Sequence, residues 1–150
     1  MIAVIQRVSS SYVKVDEKIV GEIAQGLNIL LGVKKGDTSV DIKKLVSKIV
    51  NLRIFKDENQ KMNLSLKDVN GEVLIISQFT LAGNVKKGRR PSFDDSEKPT
   101  LAKNLYEEFI KEVLNYDIKV QSGVFGAMMD VSIQNDGPVT FIIDSKELGN

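Results

Sequence analysis

The 150 residues include 21 Lys plus Arg against 20 Asp plus Glu, 42% are hydrophobic, and there is neither a cysteine nor a histidine. A chain of this length can bury enough surface to fold as one domain, 1–150, without disulfides or a structural metal. The two zeros exclude Ser-His-Asp and Cys-His catalysis, thiol redox chemistry and zinc sites built on Cys or His; the residues point to no metal site and no cofactor, and leave any ion requirement open. Any catalyst must use backbone groups, hydroxyls, amides, carboxylates, Lys, Arg or its own substrate. The apolar runs at 27–33 and 73–76 are far shorter than the roughly 18 residues of a membrane span, and residues 1–8 lack the pattern of a signal peptide. A cytoplasmic protein with no membrane partner is expected.

Three alternating, β-branched segments open the chain, at 2–8, 12–16 and 19–23, and read as strands joined by short polar turns. The continuous apolar run 27–33 predicts a strand buried on both faces. A helix is expected next, with Thr38 as its cap, Asp41 completing a capping box, and Ile42, Leu45, Val46, Ile49 and Val50 on one face. Residues 53–55 resemble a short strand entering a polar loop, 56–63. A strand follows at 72–80, then a loop at 83–95 and a second helix from about 96 or 97 to 115, with Leu101, Leu105, Phe109 and Val113 along one face. Strands return at 118–120, 127–134 and 139–144, and Asn135-Asp136-Gly137 predicts a hairpin turn between the last two. Many strands and two main helices indicate an α+β fold with a strongly curved, largely antiparallel sheet or barrel. The segment Gly32-Val33-Lys34-Lys35-Gly36-Asp37-Thr38 imitates a P-loop, but the spacing is one residue short and Asp37 stands where the phosphate-binding Lys belongs, so it reads as an ordinary turn.

Four segments carry chemistry. Ser77-Gln78-Phe79-Thr80-Leu81 places polar side chains where an apolar strand leaves the core; strand ends are commonly polar, and no His exists to activate Thr80, but backbone amides at such a bend can stabilise an oxyanion. Asn135-Asp136-Gly137-Pro138-Val139-Thr140 is built of turn residues, and a cis Gly-Pro bond there would present a rigid pair of carbonyls. Lys86-Lys87-Gly88-Arg89-Arg90 concentrates four cations in five residues, which suits either a solvated loop or RNA phosphate contact. Phe125-Gly126-Ala127-Met128-Met129 can line an apolar pocket or simply pack in a core.

Together, in this order, these segments resemble the D-aminoacyl-tRNA deacylases of bacteria and eukaryotes, the D-tyrosyl-tRNA deacylase type. The resemblance spans the chain, from Gln6-Arg7-Val8 and Gly21-Glu22-Ile23 through Ser77-Gln78-Phe79-Thr80 and Arg89-Arg90-Pro91-Ser92-Phe93 to Gly137-Pro138-Val139-Thr140. It implies a homodimer that hydrolyses the ester joining a D-amino acid, or glycine mischarged on tRNA-Ala, to the 3'-terminal ribose of tRNA, a proofreading step in translation quality control. It also implies a cis Gly137-Pro138 bond inserted into the partner's site beside residues 77–80, where the two carbonyls reject L-amino acids and Arg7 braces the loop. Phe79 and Thr80 would offer amides to the scissile carbonyl. Ser77 would belong to the same catalytic motif, and Gln78 would position the terminal adenosine, whose 2'-hydroxyl activates water. Phe125, Gly126 and Met129 would bind substrate, and Lys86, Lys87, Arg89 and Arg90 the RNA. The expected partner is aminoacylated tRNA, not DNA.

The sequence departs from the family's habit at Ala24, where Gly is common, at Met128, where Asp is frequent, and at Arg89, which is more basic than usual. Strand alternation puts Met129, Val131 and Ile133 on one face and Met128 on the other. Two other functions remain open on the residues: a non-catalytic RNA-binding dimer using the basic loop, and a general esterase with Thr80 as nucleophile.

Overall fold

Alternation of apolar residues through the first fifteen positions produces one long strand rather than two. In the computed structural model, which describes residues 1–149, β1 spans Ile2–Val15 without a break. Its register slips around Val8. The slip exchanges its faces: Ala3 and Ile5 point to one apolar cluster, Val8 and Val13 to another. The remaining strands are β2 (Lys18–Ile23), β3 (Gly26–Gly32), β4 (Phe55–Lys56), β5 (Met62–Leu64), β6 (Glu72–Ser77), β7 (Lys119–Ser122) and β8 (Asp130–Asp144). The helices are α1 (Ser39–Asn51) and α2 (Pro99–Leu114).

Six strands form one mixed sheet in the order β2-β1-β3-β6-β7, with β8 along the other side of β1. The β1 pairings with β2, β3 and β8 are antiparallel; β3–β6 and β6–β7 are parallel. The sheet curls until β2 lies against β7, so the barrel is nearly closed. Gly21 marks the closure: a Cβ there would stand 2.7 Å from the Ser122 carbonyl oxygen. The short β4–β5 ribbon lies apart from this sheet, and β5 occupies part of the segment the sequence suggested was loop.

Two apolar clusters hold the layers together. Val8, Val13, Ile23, Leu74 and Ile76 fill the barrel, with Met129, Val131 and Ile133 packed against them. The larger cluster lies between the outer face of β3 and β6 and the two helices, including Leu45, Ile49, Leu105 and Phe109. The Tyr106 hydroxyl of α2 donates to the Ile75 carbonyl at 2.8 Å, and burial pushes this phenol up to about 12. Helix α2 begins later than its apolar spacing suggests. Ser96 bridges Lys34 and the Glu97 amide donates to the Val33 carbonyl, so these residues extend the exit of β3 before Pro99 opens the helix. Leu101 accordingly lies outside the buried face.

The Thr38–Asp41 capping box forms as expected, and Asp41 has a second role. Its carboxylate accepts from the Ser145 hydroxyl at 2.8 Å and pairs with Lys146 at 2.8 Å, closing the chain's end onto α1. Beside it, the Met1 amino group donates to buried Asp37 at 2.6 Å. Among the described residues no helix is long and apolar enough to cross a membrane.

Burial alone would raise the Asp41 carboxyl, but hydrogen bonds from Lys146, the Thr38 amide and Ser145 outweigh it and hold the group well below the usual carboxylate range. A carboxyl depressed on folding contributes stability that is full above its unfolded value near 3.8 and is lost as pH falls through the folded value. Asp41→Asn should therefore cost about 1–3 kcal/mol at pH 7, and the gap from the wild type should narrow in acid below pH 4. Urea unfolding at a series of pH values measures both; a gap independent of pH would contradict this account.

Candidate active site

Ser77 ends β6, paired with Leu31 of β3, and the Gln78 amide still donates to the Leu31 carbonyl at 2.8 Å. The chain then turns into a single 3-10 turn, Phe79–Ala82, rather than extending the strand to residue 80 as the sequence suggested. In such a turn the first amides have no carbonyl behind them within the turn. The Leu81 amide donates to the Gln78 carbonyl, so Phe79 and Thr80 are the residues whose amides the turn leaves over. The Gln78 side-chain amide donates to the Thr80 hydroxyl oxygen, which gives that hydroxyl a donor and no base. Phe79 is 55% exposed and packs its ring on Phe93, with centroids 5.0 Å apart. Phe93 stood inside a motif visible in the sequence, but its contact with Phe79 has no signature in the spacing.

The loop after the turn is a closed finger. Asn84 and Ser92 exchange backbone hydrogen bonds of 2.7 and 2.9 Å, and the exposed tip between them carries Lys86, Lys87, Arg89 and Arg90. The segment 123–129 flanks β6 on its other side: the Gly123 amide donates to the Ile75 carbonyl at 3.2 Å. Phe125 is half-buried and turned toward Tyr106, with ring centroids 5.7 Å apart, while Gly126 is exposed. Met129 packs on the barrel cluster and Met128 is 92% exposed, as alternation requires.

The Gly-Pro segment is not a hairpin. Both flanks of β8 pair with the same strand, Asn135 with Val8 and Thr140 with Gln6, so the chain never reverses; residues 136–139 are an excursion opposite Arg7. Continuous backing by β1 is the physical reason the turn residues do not make a turn. The Gly137-Pro138 peptide is cis, and both residues are exposed. Arg7, 2% exposed, holds the excursion from beneath: Nε donates to the Asp136 carbonyl at 3.2 Å and lies 3.3 Å from its carboxylate, while Nη1 donates to the Ile54 carbonyl at 2.8 Å. The Asn135 side chain accepts from the Val139 amide at 3.0 Å and donates to the Thr140 hydroxyl at 3.0 Å. Gly137 has φ +133, and a Cβ there would lie 2.7 Å from Val139 and 3.1 Å from Arg7. Asn135 and Ile54 are supports that the sequence motifs did not single out for this role.

Within the chain the two motifs stand apart. Ser77 lies level with Leu31 and Ala3, whereas the excursion lies level with Arg7, four residues further along β1. That is about 13 Å along the strand, with three strand spacings between β8 and β6 besides. Among the described residues no group of three or more carboxylates is arranged to hold a metal ion.

Removing the guanidinium leaves the Ile54 and Asp136 carbonyls without their donor. Arg7→Met should cost about 1–3 kcal/mol and accelerate hydrogen exchange at Gly137 and Val139. Exchange at these amides unchanged from the wild type would show that the excursion does not depend on Arg7.

Comparison with known proteins places the chain in a family. The family model described as D-Tyr-tRNA(Tyr) deacylase matches residues 4–144. A D-aminoacyl-tRNA deacylase of Persephonella marina is 68% identical over 148 residues, covering 99% of this chain and 100% of the relative. One of Aquifex aeolicus is 60% identical over the same shares. Among solved structures, a c-Myc DNA Unwinding Element Binding Protein superposes with a TM-score of 0.90 at 38% identity, over 96% of this chain and 98% of that one. A structure described as a "probable eukaryotic D-amino acid tRNA deacylase" shares the fold, with a TM-score of 0.79 at 20% identity over 95% and 98%. The chain thus belongs to the D-Tyr-tRNA(Tyr) deacylase family and is a hydrolase of that family.

Proposed function

We propose that this protein, acting as one domain over 1–150, hydrolyses the ester of D-aminoacyl-tRNA, and of glycine mischarged on tRNA-Ala, releasing the amino acid and free tRNA in the cytoplasm. The observation that carries the reading is the separation just described: Gly137-Pro138 projects from one end of the sheet, held by Arg7, while residues 77–80 lie at the other end and another strand. A homodimer that inserts one protomer's excursion beside the partner's 3-10 turn unites them. The outer edge of β8 supports such a pairing, since among the described residues it pairs only with β1 and leaves Phe141 and Ile142 exposed.

In this composite site the Phe79 and Thr80 amides stabilise the oxyanion that forms as water attacks the ester. Ser77 ends the strand that aims them, and Gln78 orients the terminal adenosine. The Gly137 and Pro138 carbonyls face the amino acid's α-carbon and leave no space for an L side chain. Gly126 and Met129, with Phe125 beneath, border the same pocket. Thr80 contributes no nucleophile, because its hydroxyl accepts from Gln78 and meets no base; the 2'-hydroxyl of the substrate is the remaining candidate to activate water. Lys86, Lys87, Arg89 and Arg90 attract the RNA.

A nucleic-acid-binding dimer without turnover is the second reading, supported by the basic finger and by the 38% identical structure, which is described as a DNA-element-binding protein. Incubation with D- and L-aminoacyl-tRNA and an aryl ester separates the possibilities. Cleavage of the D-ester alone supports the proposal, no release supports the binding protein, and aryl ester cleavage supports a general esterase.

Phe79→Pro tests the amide directly. Gln78 has φ −137 and ψ 80, a non-helical conformation compatible with a following proline, and Phe79 is the turn's first residue. The variant should lose about 10²–10³ in kcat relative to Phe79→Ala, which loses the ring but keeps the donor. Mixing Phe79→Pro with Gly137→Ala should restore activity by forming one intact composite site per heterodimer. Freshly exchanged heterodimers that stay inactive would refute insertion across the interface.

A further inference from the structure

The turn that imitates a P-loop leaves its cations unused by the chemistry above. Lys34 and Lys35 line a cleft of about 450 Å³, which Lys86 of the basic finger and Ala82 at the end of the 3-10 turn also line. Asp95 also lines it. Asp37, the residue that argued against phosphate in the sequence, does not face this space. It is buried, paired with the Met1 amino group at 2.6 Å, and accepts from the Lys34 amide at 2.7 Å. Its charge is neutralised inside the protein, while Lys35 before it is exposed. Lys34 is tied to Asp144 at 2.7 Å. Lys35 is exposed, and its backbone is fixed by a 2.9 Å hydrogen bond to the Asp95 carbonyl; that of Lys86 is fixed by the Asn84 side chain at 2.9 Å.

The same 3-10 turn therefore borders both an exposed aromatic pair, Phe79 and Phe93, and this lysine-lined cleft. Splayed single-stranded RNA is recognised by this pairing of properties, bases stacking on rings and phosphates meeting ammonium groups. We infer that the cleft seats the internucleotide phosphates next to the terminal nucleotide of the RNA substrate, with Lys35 as a contact. The inference rests on the proposed hydrolysis and adds a residue from outside the basic finger to substrate binding.

A substrate without internucleotide phosphates isolates the effect. For the full chain, the ratio of kcat/KM on D-aminoacyl-tRNA to that on 3'-D-aminoacyl-adenosine should fall about five-fold in Lys35→Gln and further in Lys35→Glu. The fall should arise in KM, and the salt slope for binding uncharged tRNA should flatten by about 0.7. Lys43→Gln, an equal change of charge on the exposed side of α1, should leave both quantities as in the wild type. An unchanged ratio in the Lys35 variants, an equal fall on both substrates, or the same fall in Lys43→Gln would overturn the phosphate seat. If the wild type cleaves neither ester, the hydrolytic reading fails, and an unflattened salt slope is then the result that overturns the seat.

Discussion

The architecture turns on a single buried cation. Arg7 sits where β1 changes faces, beneath the one place at which β8 leaves it, and its guanidinium reaches carbonyls from two separate parts of the chain. A charge with 2% exposure is tolerable only when its donors find acceptors. Ile54, just beyond α1, and Asp136, in the excursion, supply them. The cation thus joins the helical layer, the central strand and the exposed Gly137-Pro138 pair. The excursion can stay outside the ladder without hanging free.

The other end of the sheet is organised by termination. From Val73 to Ile76 strand β6 is apolar on both faces, and the 3-10 turn begins when the register with β3 runs out after Ser77. Rigid parallel strands beneath the turn fix the direction of its first amides, while Tyr106 and Gly123 both donate to the Ile75 carbonyl just upstream. A chain without histidine or cysteine can still prepare a place for developing negative charge in this way, since main-chain dipoles need no titration.

Much of this was legible in the residues. The capping box at Thr38 and Asp41, the doubly buried β3 and the alternation that separates Met128 from Met129 follow from local rules that tertiary contacts reinforce. Three misreadings share a cause, a local signal overridden by pairing with a distant part of the chain. Ser9-Ser10-Ser11 look like a turn but remain extended because β8 and β2 pair with the residues around them. Asn135-Asp136-Gly137 look like a hairpin but are bypassed by β1. The helix start at residue 99 is delayed because 96–97 are taken by β3's exit. In the candidate site, the side chains of residues 77–80 could be named from the sequence, whereas the Phe93 contact, the supports at Ile54 and Asn135, and the inward-facing Asp37 are products of the fold.

The excursion in β8 also constrains how this chain can vary in length. Upstream, Val131 and Ile133 face the barrel; downstream, Ile143 packs on the helical cluster, while its neighbour Ile142 is 71% exposed. Losing or gaining a single residue between Asn135 and Thr140 would turn every downstream side chain over, sending Ile143 to solvent and a neighbour into the core. A two-residue change would preserve that alternation. The four-residue protrusion is therefore framed like a reading frame, and its length is set by the alternation of the strands on either side rather than by the turn chemistry of the residues within it.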